Sequence, residues 1–106
     1  MIIKCRLIPK GYCLNIFGTY WARDTRWIDK TVINHERIHN AQQRELLFIP
    51  FYILYVLEWL IRLIQYRNCH EAYRNISFER EAYAHGDDMT YLSRRRHYEW
   101  LRYLRN

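Results

Sequence analysis

The segment that decides the fold is His35-Glu36-Arg37-Ile38-His39, set within a longer run from Asp29 to Leu47. Asp29 suits a helix N-cap, and Val32, Ile33, Ile38, Ala41, Leu46 and Leu47 recur at helical spacing after it. On a helix, residues four apart stack on one face with Cβ atoms roughly 5–6 Å apart, so His35 and His39 can converge on one metal ion. Glu36 lies beside them, placed to act as a general base without being a ligand. These residue types at this spacing point to zinc-dependent hydrolysis. The plain alternative makes both histidines polar residues of a half-exposed helix, with Glu36 paired to a nearby arginine.

The faces of that helix support the metal arrangement. His35, His39, Gln42 and Leu46 follow one stripe, while Ile33, Arg37, Ala41 and Arg44 follow another. Two histidines are one ligand short of a catalytic site, which usually has three protein ligands. The downstream candidates are His70, Glu71, Glu79, Glu81 and His85. Glu79 and Glu81 fall on different sides of one predicted helix, so at most one of them faces the metal. His70, His85 and His97 otherwise read as surface histidines.

At 106 residues the chain is long enough for one domain, 1–106, with a modest core. Half of it is hydrophobic, with ten Tyr and four Trp, which excludes disorder. A formal charge of +6 and a pI near 9.4 favour anionic partners. Arg94, Arg95, Arg96, Arg102 and Arg105 carry much of this excess and read as a solvated helix face. No nucleic-acid-binding motif accompanies them, so nucleic acid is not an expected partner. Cys5, Cys13 and Cys69 are widely spaced and form no C-x-x-C pair, which predicts buried thiols rather than disulfides. Together with an N-terminus, Met1-Ile2-Ile3-Lys4, that lacks signal-peptide character, this predicts a reducing, cytoplasmic setting.

Residues 2 to 8 and 12 to 21, separated by Pro9-Lys10-Gly11, read as a β-hairpin whose second strand offers a free edge from Leu14 to Tyr20. Pro50 should end the first helix or open the next. From Leu46 to Tyr66 the sequence LLFIPFYILYVLEWLIRLIQY is the most apolar in the chain. Its uncharged part, 46 to 57, is too short to cross a hydrocarbon core of about 30 Å, and Glu58 and Arg62 would each cost roughly 2.5–3.5 kcal/mol there. A buried core helix is expected, and peripheral membrane contact through residues 46–66 is the second arrangement. Glu58 and Arg62 form an i, i+4 pair. A short helix or turn follows in 68–75. Ser77 reads as the N-cap of a helix that ends at Gly86, and Asp87 or Asp88 as the cap of a last helix reaching Leu104, with Met89, Leu92, Tyr98, Leu101 and Leu104 facing the core. The expected fold class is α+β, a mainly helical body with an N-terminal β-hairpin.

The chain resembles the gluzincin metallopeptidases, whose H-E-x-x-H helix is followed by a later helix bearing a ligand Glu in an E-x-x-A-D pattern. The matching positions are His35, Glu36 and His39, then Glu79-Arg80-Glu81-Ala82-Tyr83, and Gln42-Gln43 looks like the H-E-x-x-H-x-x-Q-Q of some small members. The resemblance implies a minimal zincin-like domain with His35, His39 and Glu79 as Zn2+ ligands, Glu36 as general base, and a peptide or protein as substrate. Tyr83 stands where the pattern has an Asp that orients a ligand histidine, so that task would pass to Glu81, Tyr83 or a backbone carbonyl. Tyr83, His85 or His70 would donate to the oxyanion, and an extended peptide would pair with the free strand edge. The competing expectation is a basic zinc-binding module that contacts nucleic acid or an anionic membrane without catalysis.

Overall fold

Asp29 caps the motif-bearing helix as its position predicts: its Oδ1 accepts from the Val32 N–H at 3.0 Å, and helix α1 runs Lys30–Glu45. The computed structural model describes residues 2–9 and 11–104. Met1, Lys10 and Arg105, which enter the readings of the N-terminus, the first turn and the basic tail, lie outside them. The remaining helices are α2 (Ile49–Tyr66), α3 (Cys69–Arg74), α4 (Ser77–His85) and α5 (Tyr91–Arg94), followed by a 3-10 turn over Glu99–Tyr103. With three short strands before them, the chain is α+β with a mainly helical body.

The hairpin exists but is made from other residues than expected. Strands β1 (Ile2–Lys4), β2 (Cys13–Ile16) and β3 (Thr19–Ala22) form a sheet in the order β1-β3-β2. β2 and β3 pair antiparallel around Phe17-Gly18, whereas β1 joins β3 in parallel. Phe17 and Gly18 both have positive φ, +49° and +88°, as a two-residue type I′ loop requires. A phenylalanine is unusual there; its N–H donates to the Tyr52 hydroxyl at 2.8 Å and its ring stacks on Phe48. The turn at Pro9 and Gly11 is also present, with the Tyr12 N–H donating to the Pro9 carbonyl, but it joins β1 to β2 rather than closing a hairpin. The sheet's free edge on this side is therefore β2 alone, and Tyr20 lies in the central strand.

Between α1 and α2 the chain reverses through Leu47 and Phe48, both at positive φ. The Ile49 N–H donates to the Leu47 carbonyl at 2.9 Å across Phe48 (φ 69°, ψ −71°), a strained γ-turn. Pro50 then sits in the first turn of α2, where a missing N–H costs nothing.

The expectation of a buried core helix over 46–66 does not hold. Of α2 only Phe51 and Arg62 are buried, while Ile53, Val56, Leu57, Leu60, Ile61 and Ile64 are exposed. The reason lies with its charged pair. Glu58 and Arg62, 3.5 Å apart, both turn inward. Glu58 accepts from the Ser77 N–H and hydroxyl at 2.6 Å each, and Arg62 donates to the Leu104 carbonyl and to Gln65. The polar groups thus occupy the packed side, and the aliphatic ones are left outside. Ser77 is accordingly the first residue of α4 rather than its cap; the Glu58 carboxylate satisfies that helix's N-terminus from a neighbouring helix, with favourable charge.

The single last helix is broken as well. After α5 the backbone becomes extended at Arg95, and Tyr98 is left-handed. Arg95 leaves the helix to reach buried carboxylates: it donates to both oxygens of Glu81 and to Glu45 at 3.0 Å, with only 5% of its side chain exposed. It is not part of a solvated face. Met89, Tyr98, Leu101 and Leu104 are exposed, and Tyr91 and Trp100 fill the core in their place. Phe51, Ile76, Phe78 and Trp100 make one apolar cluster, and Ile38, Ala82 and Tyr91 another. Cys5 and Cys13 are partly buried, but Cys69, at the first turn of α3, is exposed; all three are free thiols.

Candidate metal centre

Helix α1 presents Asn34, His35, Glu36, Ile38, His39, Gln42 and Gln43 to the interior and leaves Arg37 and Arg44 in solvent. Helix α4 packs against this face and contributes Glu79. His35 Nε2 lies 3.1 Å from Glu79 Oε1, His39 Nε2 lies 3.1 Å from Glu79 Oε2, and the two Nε2 atoms are 3.2 Å apart. One ligand atom from each residue falls within 4.8 Å of the others, and all three side chains are buried. Glu36 is not paired with an arginine. Its Oε2 is 3.9 Å from His35 Nε2, and its Oε1 is buried without a hydrogen-bond partner.

These residues fit a divalent ion. Two imidazole nitrogens and a carboxylate oxygen facing one another form the donor set of catalytic first-row metal sites, and the orphaned Glu36 oxygen sits beside it. Gly86 lies where the end of α4 meets α1. It ends α4 as the sequence suggests, but at φ −60°, so left-handed freedom is not its use. A Cβ there would lie 3.0 Å from the Ala82 carbonyl oxygen and 3.5 Å from His35 Cβ.

Gln42 fixes the tautomer of His39. Its amide nitrogen donates to the Phe78 carbonyl at 3.0 Å and to Glu81 Oε1 at 2.9 Å, so its oxygen must accept from His39 Nδ1, 2.8 Å away. His39 therefore carries a proton on Nδ1, which leaves Nε2 as the nitrogen that faces the cluster. Glu81 is fully buried and faces away from the metal residues; it holds Gln42 and is itself held by Tyr91 and Arg95. The orienting role that Tyr83 leaves open thus falls to Gln42, with Glu81 behind it. On the other side, the Tyr55 hydroxyl donates to Glu79 Oε2 at 2.6 Å.

Burial and the pairing of Glu79 with the histidines together set the protonation chemistry. Burial pushes the Glu36 carboxyl up to about 8, opposed by His39 and reinforced by Glu79. For Glu79 burial works upward too, but His39 and His35 outweigh it and hold the carboxylate well below its usual range. His39 is raised to about 9 because Glu79 overcomes the burial that disfavours its charge. Burial, helped by Glu36, raises Cys13 to about 12, which keeps the thiol protonated near neutral pH.

Two hollows flank Glu36. One, about 220 Å³, runs between Leu14–Ile16 of β2 and Phe51, Tyr52 and Tyr55 of α2, with His39 and Glu79 in its wall. The other, about 140 Å³, lies between His35, Val32, Trp27 and Tyr83. Glu36, Cys13 and Tyr73 line both. Tyr73 has no motif to mark it in the sequence; its hydroxyl lies 3.0 Å from that of Tyr83, whose ring meets His35 edge-on. His70 bonds the Tyr12 hydroxyl, His85 stacks on Tyr91 and bonds Tyr103, and Glu71 is exposed in α3; none joins the cluster. His97 lies on the surface beside Glu45.

No protein-family model, curated protein or solved structure matches this chain.

Proposed function

We propose that this chain is a small zinc-dependent peptidase of gluzincin type, with His35, His39 and Glu79 as the metal ligands and Glu36 as general base. The observation that carries the proposal is the convergence of three buried ligand side chains from two helices next to a buried carboxylate oxygen that has no partner. A Zn2+ ion held there would supply Lewis acidity toward a carbonyl and toward water.

The protein's own residues account for the rest of the chemistry. With its carboxylate held ionised by the bound cation, Glu36 would take a proton on Oε1 from the attacking water and return it to the leaving amine. Tyr73, kept protonated by burial and by the nearby Glu79, lies where both hollows meet and serves as a hydrogen-bond donor to the oxyanion, with Tyr83 braced against it. An extended peptide pairs with the outer edge of β2, displacing the Gln43 amide from the Asn15 carbonyl, and places one apolar side chain in the hollow walled by Phe51, Tyr52 and Tyr55. Gln42, Glu81 and Tyr55 hold the ligand side chains in place.

The test is hydrolysis of a peptide library by the wild type and by Glu36→Gln, with zinc content measured in both. Glu36→Gln should keep its zinc and lose at least about two orders of magnitude in turnover, as expected of a missing general base. Bound zinc without Glu36-dependent turnover would leave a metal-binding protein and remove the peptidase. Failure to take up zinc after reconstitution would remove both.

A further inference from the structure

The metal site makes no use of the outer face of α2, where Ile53, Val56, Leu57, Leu60, Ile61 and Ile64 are between 45% and 78% exposed. Their spacing places them on one side of the helix. Nothing polar interrupts this side. Glu58 and Arg62 are the helix's charged residues, and both are bonded inward to Ser77 and Leu104. Gln65 is bound to Arg62. Exposed apolar faces of this extent mark an interaction surface.

We infer that the outer face of α2 seats the protein in the interface of an anionic lipid bilayer, with the helix axis in the membrane plane. Charge selects the occupant. The chain carries +6, so a second copy would bring like charge onto like charge, whereas an anionic headgroup layer complements it. The two ends of the face have interfacial character. Exposed Arg44 lies just before the helix, and Arg67 is its left-handed C-terminal residue beside Tyr66. Phe17 and Phe48 stack at the N-terminal end, next to Leu47, which is 79% exposed.

The orientation follows from the other side of the helix. α3 packs along it, and Phe51 belongs to the cluster with Phe78 and Trp100. A spanning orientation would carry those elements and their charged neighbours into hydrocarbon, whereas an in-plane seat leaves every inward bond intact. The seat is independent of the metal chemistry.

The experiment is co-sedimentation of the full chain with vesicles of phosphatidylcholine alone or mixed with phosphatidylglycerol, for the wild type and for Leu57→Lys with Ile61→Lys. The wild type should partition into anionic vesicles, and the double variant should lose roughly tenfold or more with unchanged circular dichroism. Arg67→Glu leaves the apolar face whole and should lower the preference for anionic over neutral vesicles. Glu36→Gln should bind as the wild type does, which separates this seat from the fate of the peptidase proposal. Absence of vesicle binding, or binding untouched by the two lysines, would overturn the inference. So would a wild-type dimer that the lysines dissociate, which assigns the face to a second copy, or resistance to alkaline carbonate extraction, which makes α2 a span.

Discussion

Arg95→Met should destabilise the protein by about 3–4 kcal/mol at pH 7, and the loss should shrink as the pH falls. The wild-type guanidinium is the charge between two buried carboxylates, with Glu81 and Glu45 side chains 0% and 5% exposed. Methionine keeps much of the volume and removes the charge, and leaving a buried charge without its partner typically costs about 3–5 kcal/mol. Glu81 would retain the Tyr91 hydroxyl and the Gln42 amide, and Glu45 the Tyr98 N–H. Protonation caps the penalty on Glu81. Taking up a proton at pH 7 against an ordinary value of 4.5 costs about 3.4 kcal/mol, and at pH 5 about 0.7 kcal/mol.

The sign is clear from both ends. In the wild type Glu81 is held low: burial pushes it up, but Arg95, Tyr91 and Gln42 together outweigh that. Its contribution is therefore present above the unfolded value and lost as pH falls. In the variant burial wins, and stability is lost as pH rises. The difference between the two proteins must widen from pH 5 to pH 7. Urea unfolding followed by tryptophan fluorescence reads it directly, and thermal melting should show a drop of roughly 4 °C per kcal/mol. Adding Glu81→Gln should recover part of the loss, since the uncompensated charge is gone. A cost below about 1 kcal/mol at pH 7, or one that does not change with pH, would refute the claim that Arg95 acts by neutralising buried carboxylates.

Three other outcomes follow from the site. Gln42→Ala should lower zinc affinity roughly 10–100-fold in a competition titration while the fold persists, because His39 Nδ1 loses its acceptor. Gly86→Ala should cost about 1–3 kcal/mol in urea unfolding, since the added methyl meets the Ala82 carbonyl one turn back at 3.0 Å; a neutral result would mean that the last turn of α4 yields freely. The metal-free protein should lose stability between pH 6.5 and pH 9. The His39 contribution is complete below the ordinary value of 6.5 and disappears as pH climbs through about 9, worth about 3 kcal/mol, and the buried Glu36 carboxyl acts in the same direction. Urea midpoints that stay flat or rise over this window would contradict the pairing of His39 with Glu79.

What was legible in the sequence is what depends on neighbours along the chain. Asp29, the periodicity of α1 and the Pro50 boundary are local signals, and each is found where the residues place it. The motif spacing puts His35 and His39 on one face, and Glu79 falls opposite them because α4 crosses that face. The failures are tertiary. Phe17-Gly18 has no asparagine or aspartate at its two corners; it closes because Asn15 Oδ1 accepts from the Gly18 N–H and because Tyr52 and Phe48 receive Phe17. Arg94 to Leu104 has helical periodicity, yet Arg95 gives up the helix for Glu81 and Glu45, and no pattern within that segment reveals either partner. Gln42 shares the stripe of His39, and a polar residue three positions after it is well placed to hold its ring.

The exposure of α2 has the same origin as the candidate metal site. Beside the apolar Ile38, Phe78 and Ala82, the buried positions of α1 and α4 are occupied by Asn34, His35, Glu36, His39, Gln42, Gln43, Ser77, Glu79 and Glu81, so the centre of this small chain is largely a hydrogen-bonded polar network. Such a network is stable only where most of its members find partners, and it draws Tyr55 and Glu58 of α2 inward as donor and acceptor. A helix that turns its polar groups toward the protein must turn aliphatic ones away from it. The sequence of α2 is apolar on nearly every side, and hydrophobicity alone does not distinguish a core helix from one that faces lipid. The distinction comes from where Glu58 and Arg62 are satisfied. Because their partners are within the protein, the outer face can lie against hydrocarbon without placing a charge there, which a water-facing helix would have no need to arrange.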